Sequence, residues 1–468
     1  MITRLCLIFV LLAAVPMWSQ TTGTGTGTGT QTGTGNGTGT PTSTDEEPDN
    51  SVMNSGMLTP PPVSGQAYPV ATGDEVRVNY MSFGLTGEVA YDDNVLAGFS
   101  ATPQGDVIYS IWPTVTLDKS TLALREQFSY SPGFTFYEPS SDFNETDQNA
   151  SMNFQYHPGS NATLIVQDSF LRSSSLFNQP FATSQGDIGG GTPLQASGVI
   201  APFADRISNV ANVGINDQAG ENEMFGVSGQ YGLLDYPNSS QVPGLYNSTL
   251  WGVTAFASQR IAVRQYFGAE VEHSRIVSFL KGTDSGVQSD NIFPFYTIYL
   301  RNSEASTLSI SVTGGPEHYI ASQAPETAIQ EWTPAGTIGV GWQGHLSTIS
   351  GSYSHNVTGG GGLPGAYEED RAAAAFRREL THTWEINFSG FYALNKNKTP
   401  LFPFSEPGGH TVTATASVQH QLSKSLKFLI GYDRMQESYS GIGALAKLPN
   451  SDREYGQISW QWVRPIGR

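Results

Sequence analysis

From about residue 76 to the end of the chain, apolar and polar side chains alternate with a period of two. Ala150, Met152, Phe154 and Tyr156 interleave with Ser151, Asn153 and Gln155. Phe225, Val227, Gly229 and Tyr231 interleave with Gly226, Ser228 and Gln230, and Val412, Ala414, Ala416 and Val418 with Thr413, Thr415 and Ser417. Successive side chains of an extended strand point to opposite faces, so each segment carries one apolar and one polar face. No stripe at helical spacing competes with this pattern.

Such segments fall near 83–91, 106–117, 121–130, 149–157, 162–171, 207–216, 222–233, 248–258, 262–273, 291–301, 305–313, 332–342, 345–355, 371–379, 382–393, 410–420, 424–435 and 453–463. That makes about eighteen strands (16–18), most near the roughly ten residues a tilted strand needs to cross a bilayer. Short connections such as Asp118–Ser120, Pro158–Asn161 and Asn302–Glu304 alternate with long ones near 92–105, 131–148, 172–206, 234–247, 274–290, 314–331, 356–370, 394–409 and 436–452. Tight turns on one rim and long loops on the other organise an outer-membrane barrel, and an even strand count returns both ends to the periplasmic side. The predicted fold is therefore all-β, a transmembrane antiparallel β-barrel over 76–468. Propellers and β-helices would show a fixed sequence repeat, and none is present.

Two charges interrupt otherwise apolar faces. Glu126 falls in line with Leu122, Leu124, Phe128 and Tyr130, and Asp168 falls between Val166 and Phe170. Either the register slips there or a neighbour shields the carboxylate. Tyr91, Tyr109, Tyr231, Trp251, Trp342, Trp384, Tyr392, Tyr432, Trp460 and Trp462 lie near strand ends, where amphipathic rings favour the headgroup level.

Ahead of the barrel the pattern changes. Arg4 followed by the apolar run Leu5 to Val15 and the small Ser19 reads as a cleavable signal peptide over 1–19. Residues 20–75 are Thr/Gly- and Pro-rich, with the acidic run Asp45-Glu46-Glu47-Pro48-Asp49, and offer almost nothing apolar to bury; they read as a disordered periplasmic tether. The one cysteine, Cys6, lies inside the signal, which removes disulfides, zinc-thiolate sites and cysteine nucleophiles from the mature chain. Only 14% of residues are charged, so the polar faces are mostly uncharged, unlike a soluble surface. A net charge of −18 excludes nucleic acid as a partner.

The first strand ends in Gly87-Glu88-Val89-Ala90-Tyr91-Asp92-Asp93-Asn94. This Tyr-Asp-Asp-Asn ending resembles the opening strand of a family of bacterial outer-membrane β-barrel porins often associated with exopolysaccharide loci. The resemblance spans the barrel and implies the same fold and location. The C-terminus departs from the common outer-membrane pattern. Trp460 and Trp462 alternate as expected, but the chain ends Arg464-Pro465-Ile466-Gly467-Arg468 instead of on an aromatic.

No catalytic or metal motif stands out. None of the eight histidines falls in an H-E-x-x-H arrangement, and G-x-S-x-G is absent, so the chain is read as a non-enzyme with no cofactor. Gly359–Gly362 reads as a flexible loop, and Glu368-Glu369-Asp370 as a solvated loop edge. The candidate pore-lining charges on polar faces are Arg125, Arg264, Glu270, Glu272, Arg377, Glu385, Lys427 and Asp433. The third long connection, 172–206, is a candidate constriction loop by analogy with general porins, with Arg172, Asp187, Asp205 and Arg206 as its charges. The function expected is passive diffusion of small hydrophilic solutes, the alternative being a plugged barrel serving exopolysaccharide export or surface attachment. Its partners would be outer-membrane lipids and lipopolysaccharide, the barrel-assembly machinery and the solutes; a homotrimer is one assembly open to it.

Overall fold

The computed structural model describes residues 79–466 apart from 96–101, 122, 139, 160, 176–202, 239–243, 281–282, 304–305, 324–327, 360–364, 399–407 and 441–449. The segments assigned to the signal peptide and tether, and the centre of the third long connection with Asp187, lie outside the described residues.

Eighteen strands follow one another: β1 (Tyr80–Asp92), β2 (Asp106–Ser120), β3 (Leu124–Glu138), β4 (Glu145–Tyr156), β5 (Ala162–Ser175), β6 (Phe203–Gln218), β7 (Glu223–Asp235), β8 (Ser248–Ala262) and β9 (Gln265–Leu280). The second half holds β10 (Thr283–Ser303), β11 (Ser306–Gln323), β12 (Ile329–Gly344), β13 (Ser347–Thr358), β14 (Tyr367–Glu379), β15 (Trp384–Asn397), β16 (Gly408–Ser423), β17 (Leu426–Ser440) and β18 (Ser451–Pro465). Each strand pairs antiparallel with the next, and β1 pairs with β18, so the sheet closes on itself. Closure leaves no edge with unpaired backbone groups, the condition for a β-structure to sit in hydrocarbon. At the seam Phe83 faces Trp462 with ring centroids 5.8 Å apart, and the Thr86 hydroxyl donates to Ser459 at 3.0 Å.

Alternation of exposed and buried residues along paired strands assigns the two faces. On β1, Phe83, Leu85, Val89 and Tyr91 point outward and are exposed, whereas Ser82, Glu88, Ala90 and Asp92 point inward and are buried. On β2 the same split separates Tyr109 and Ile111 from Ile108, Ser110 and Trp112. The outward face carries an apolar band bounded by aromatic rings. Trp342, Trp384, Trp460 and Trp462 lie toward the short-turn rim; Tyr91, Tyr109, Trp251, Trp332, Tyr392 and Tyr432 lie toward the opposite end. A band of this kind faces lipid, with the rings at the two headgroup levels, and marks the chain as an outer-membrane barrel.

Neither interrupting carboxylate comes from a slipped register. Glu126 points outward close to the turn between β2 and β3 and sits directly opposite the outward Lys119. Asp168 points outward in mid-strand, paired in register with Met152, and accepts a hydrogen bond from Asn209 Nδ2 at 2.9 Å.

The strands run further than the alternation predicts in one sector. The expected loops 274–290 and 314–331 are largely strand, and β10 and β11 extend over 21 and 18 residues. Above the level of the Trp332 ring these strands leave the lipid, so their outward face no longer needs to be apolar. Gln288 and Asp290 on one face and Ser285, Ser289 and Asn291 on the other erase the apolar signature while the pairing continues.

Candidate functional site

The site is the inner wall of the barrel, where the polar face of every strand meets. Three of the candidate charges converge near the short-turn, periplasmic end. Arg377 on β14 donates to Glu385 on β15 at 2.6 Å, Asn387 Nδ2 donates to the other Glu385 oxygen at 3.0 Å, and Lys427 on β17 lies close enough to feel both charges. Arg125 on β3 and Arg260 on β8 point inward close to their own turns, as does Asp118 on β2. Glu379, the last residue of β14, shares the inward parity. Arg264 is placed elsewhere: it belongs to the exposed two-residue turn between β8 and β9, where its carbonyl accepts from the Tyr299 amide.

Toward the extracellular end the wall becomes acidic. Arg453 on β18 is 1% exposed and donates to the Glu88 carboxylate. In register Arg453 stands between Asp92 of β1 and Asp433 of β17, so one guanidinium serves three buried carboxylates. Asp92 also accepts from the Ser451 hydroxyl at 2.7 Å and from the Asn94 amide at 2.8 Å. This gives the Tyr-Asp-Asp-Asn ending of the first strand a structural role: Asp92 and Asn94 close the seam, with Asn94 Nδ2 donating to the Asn450 carbonyl at 2.7 Å. On the neighbouring arc Asp106, Glu145 and Asp147 also face inward.

A second acidic group lies on the opposite arc. Glu270 and Glu272 share the inward face of β9, Asn291 Nδ2 approaches Glu272 at 3.4 Å, and the next strand places Glu317 beside Asn291. Glu317 is buried and accepts from the Ser289 hydroxyl and, at 2.9 Å, from the Val357 amide. Among the described residues, Glu331, Glu369 and Glu437 complete the inward acids of this half. Inward arginines are fewer: besides Arg453, Arg371 lies 4.9 Å over the Phe391 ring, and Arg206 of β6 stands beside Tyr236 of the β7–β8 connection.

The contact between Val357 and Glu317 reveals a feature that the sequence pattern did not. The end of β13 leaves the wall and folds inward. Val357 packs with Val287, Tyr319, Ala321 and Ala366, and Gly359 lies so close to β9 that a Cβ there would fall 2.5 Å from Ile276 Cγ2. Gly365, with φ of 100° in the left-handed region that favours glycine, turns the chain back into the buried Ala366 and Tyr367. Val357 and Gly359 are therefore applied to the inner face of β9–β11. The reason is steric: only a residue without a side chain fits against Ile276. A second approach narrows the mouth near Arg206. Tyr236 is buried, and burial together with the Glu437 carboxylate pushes its hydroxyl up to about 12, with Arg206 opposing, so Tyr236 stays a neutral hydrogen-bonding group.

The candidate constriction charges divide. Arg206 points inward; Arg172 and Asp205 fall on the outward parity of β5 and β6, Arg172 being exposed. Glu368 and Asp370, read as a solvated edge, point outward near the extracellular rim with His355. His355 donates to or accepts from Asp370 at 2.8 Å, and Lys396 and Lys398 neutralise Glu368.

No family model matches the chain, and no curated protein does in sequence. Among solved structures it is similar to OccK2 (OpdF) of Pseudomonas aeruginosa, at 6% identity over 83% of this chain and 98% of that one, with a TM-score of 0.42. OccAB3 of Acinetobacter baumannii is similar at 7% identity over 82% and 99%, with a TM-score of 0.40. The ferric citrate transporter FecA is similar at 9% identity over 84% and 82%, with a TM-score of 0.41. At these scores the functional reading rests on the barrel's own geometry.

Proposed function

We propose that the chain is a passive diffusion porin for small hydrophilic solutes. The observation that carries this reading is the solvent exposure of polar side chains on the inner wall at mid-barrel. Ser151, Asn153 and Gln167 on β4 and β5, and Ser389 on β15 across the ring, all point inward yet are exposed. Uncharged hydroxyls and amides keep water at the wall without holding a solute tightly, which suits passage better than storage. The inward segments at Val357–Gly359 and at Tyr236 narrow the extracellular mouth and set a size limit there.

Purified protein, shown to be a closed barrel by its heat-modifiable migration on a gel, should insert into planar bilayers with discrete steps of conductance. A closed barrel that repeatedly fails to conduct overturns the porin reading.

A further inference from the structure

We infer that the extracellular half of the lumen is a cation-attracting vestibule and that the solutes it favours are hydrophilic cations; this rests on the porin reading for passage, but not for binding. The described inward charges separate along the barrel axis. Within three residues of a periplasmic turn stand four bases, Arg125, Arg260, Arg377 and Lys427, against three acids, Asp118, Glu379 and Glu385. Six or more residues from those turns, the acids named above on β1, β2, β4, β9, β11, β12, β14 and β17 number twelve, against Arg206, Arg371 and Arg453.

The three arginines are already engaged. Arg453 serves Glu88, Asp92 and Asp433, Arg371 lies over an aromatic ring, and Arg206 stands beside Tyr236. The remaining nine carboxylates stand on both arcs of the wall; Glu145, Glu272 and Glu331 are not buried and face the lumen, and the other six are buried within the wall. Like charges around a low-dielectric cavity focus the field into the water it encloses, so the local cation concentration rises and anions are turned back. At the periplasmic end the four bases and three acids nearly balance. A solute entering from outside therefore meets the selective region first.

The test uses the full barrel and a variant carrying Glu145→Gln, Glu272→Gln and Glu331→Gln. These three are not fully buried, and glutamine keeps an acceptor oxygen for the Tyr137, Asn291 and Tyr319 donors. The control is Glu454→Gln, an exposed residue on the outward face of β18. Under a potassium chloride gradient the reversal potential should report several-fold preference for potassium near 0.1 M salt. That preference should shrink toward 1 M as the Debye length falls from about 10 to about 3 Å. The triple variant should lose at least half of it, and the control none. Spermine binding to the closed barrel in detergent, measured by titration calorimetry, should weaken several-fold in the triple variant only.

Conductance without cation preference, or spermine binding unchanged by the triple variant, overturns the inference and leaves the porin reading standing. A barrel that does not conduct yet binds spermine through these acids supports the vestibule and sinks the porin.

Discussion

Replacing Arg453 with methionine tests the electrostatic logic of the seam. The guanidinium is 1% exposed, and the Glu88 side chain it bonds is 3% exposed, so water screens neither. Asp92 and Asp433 stand on either side in register, so removing the cation strands three buried carboxylates within one cluster. Breaking a buried pair from one side costs about 3–5 kcal/mol, because the partner is left uncompensated. Glu88→Gln removes one acid and leaves Arg453 two others, so its expected cost is only the charge-assisted part of one hydrogen bond, about 1.5–3 kcal/mol. The double variant should then cost less than the sum of the two, since Arg453→Met no longer strands Glu88. Urea unfolding in lipid vesicles, followed by tryptophan fluorescence, supplies the four stabilities of the cycle. If Arg453→Met lies within about 1 kcal/mol of the parent, or if the two changes add, the cluster is not the charge-balanced lock described above.

Gly226→Ala should destabilise the barrel by about 1–3 kcal/mol, because the new Cβ would fall 2.2 Å from the Phe256 ring and 2.4 Å from Asn216 Oδ1; a lowered urea midpoint checks it. Asp168→Leu with Asn209→Leu should stabilise the membrane-inserted barrel by on the order of 1 kcal/mol by removing a carboxylate–amide pair from the lipid-facing wall; a lower urea midpoint would show that the pair meets a polar neighbour instead. Replacing residues 359–365 by a shorter turn should raise single-channel conductance, since Gly359 and the neighbouring Val357 lie against the inner face of β9–β11. Deleting residues 20–71 should leave heat-modifiable migration intact, and its loss would show that the segment enters the fold.

The barrel was legible because lipid outside and water inside impose opposite demands on alternate residues, and that demand repeats through every membrane-crossing stretch. Where it lapses, as in Thr283–Asp290 with polar residues on both faces, the pattern reads as loop although the ladder continues. The inward face of Arg125, Glu270, Glu272, Arg377, Glu385, Lys427 and Asp433 was likewise readable, because parity is a local property. It could not separate Arg264, the second residue of the turn before β9, nor tell that Arg172 lies on the outward face. Arg453 escaped notice for a different reason. Its importance comes from β1 and β17, strands whose charges meet it only when the ring is closed. The inward turn at Gly359 depends on Ile276, four strands away around the ring, and a run of glycines alone does not say which surface it approaches.

The pairing of β1 with β18 also dictates an order of events. Glu88 and Asp92 lie on the first strand and their only described cation lies on the last, so every intermediate that lacks β18 carries these acids without a counter-ion while both sheet edges are still open. Such an intermediate is doubly unfavourable in hydrocarbon, and nothing gained by the other seventeen strands relieves it. Insertion and final closure should therefore be coupled, with the last strand acting as the latch that commits the chain to the membrane.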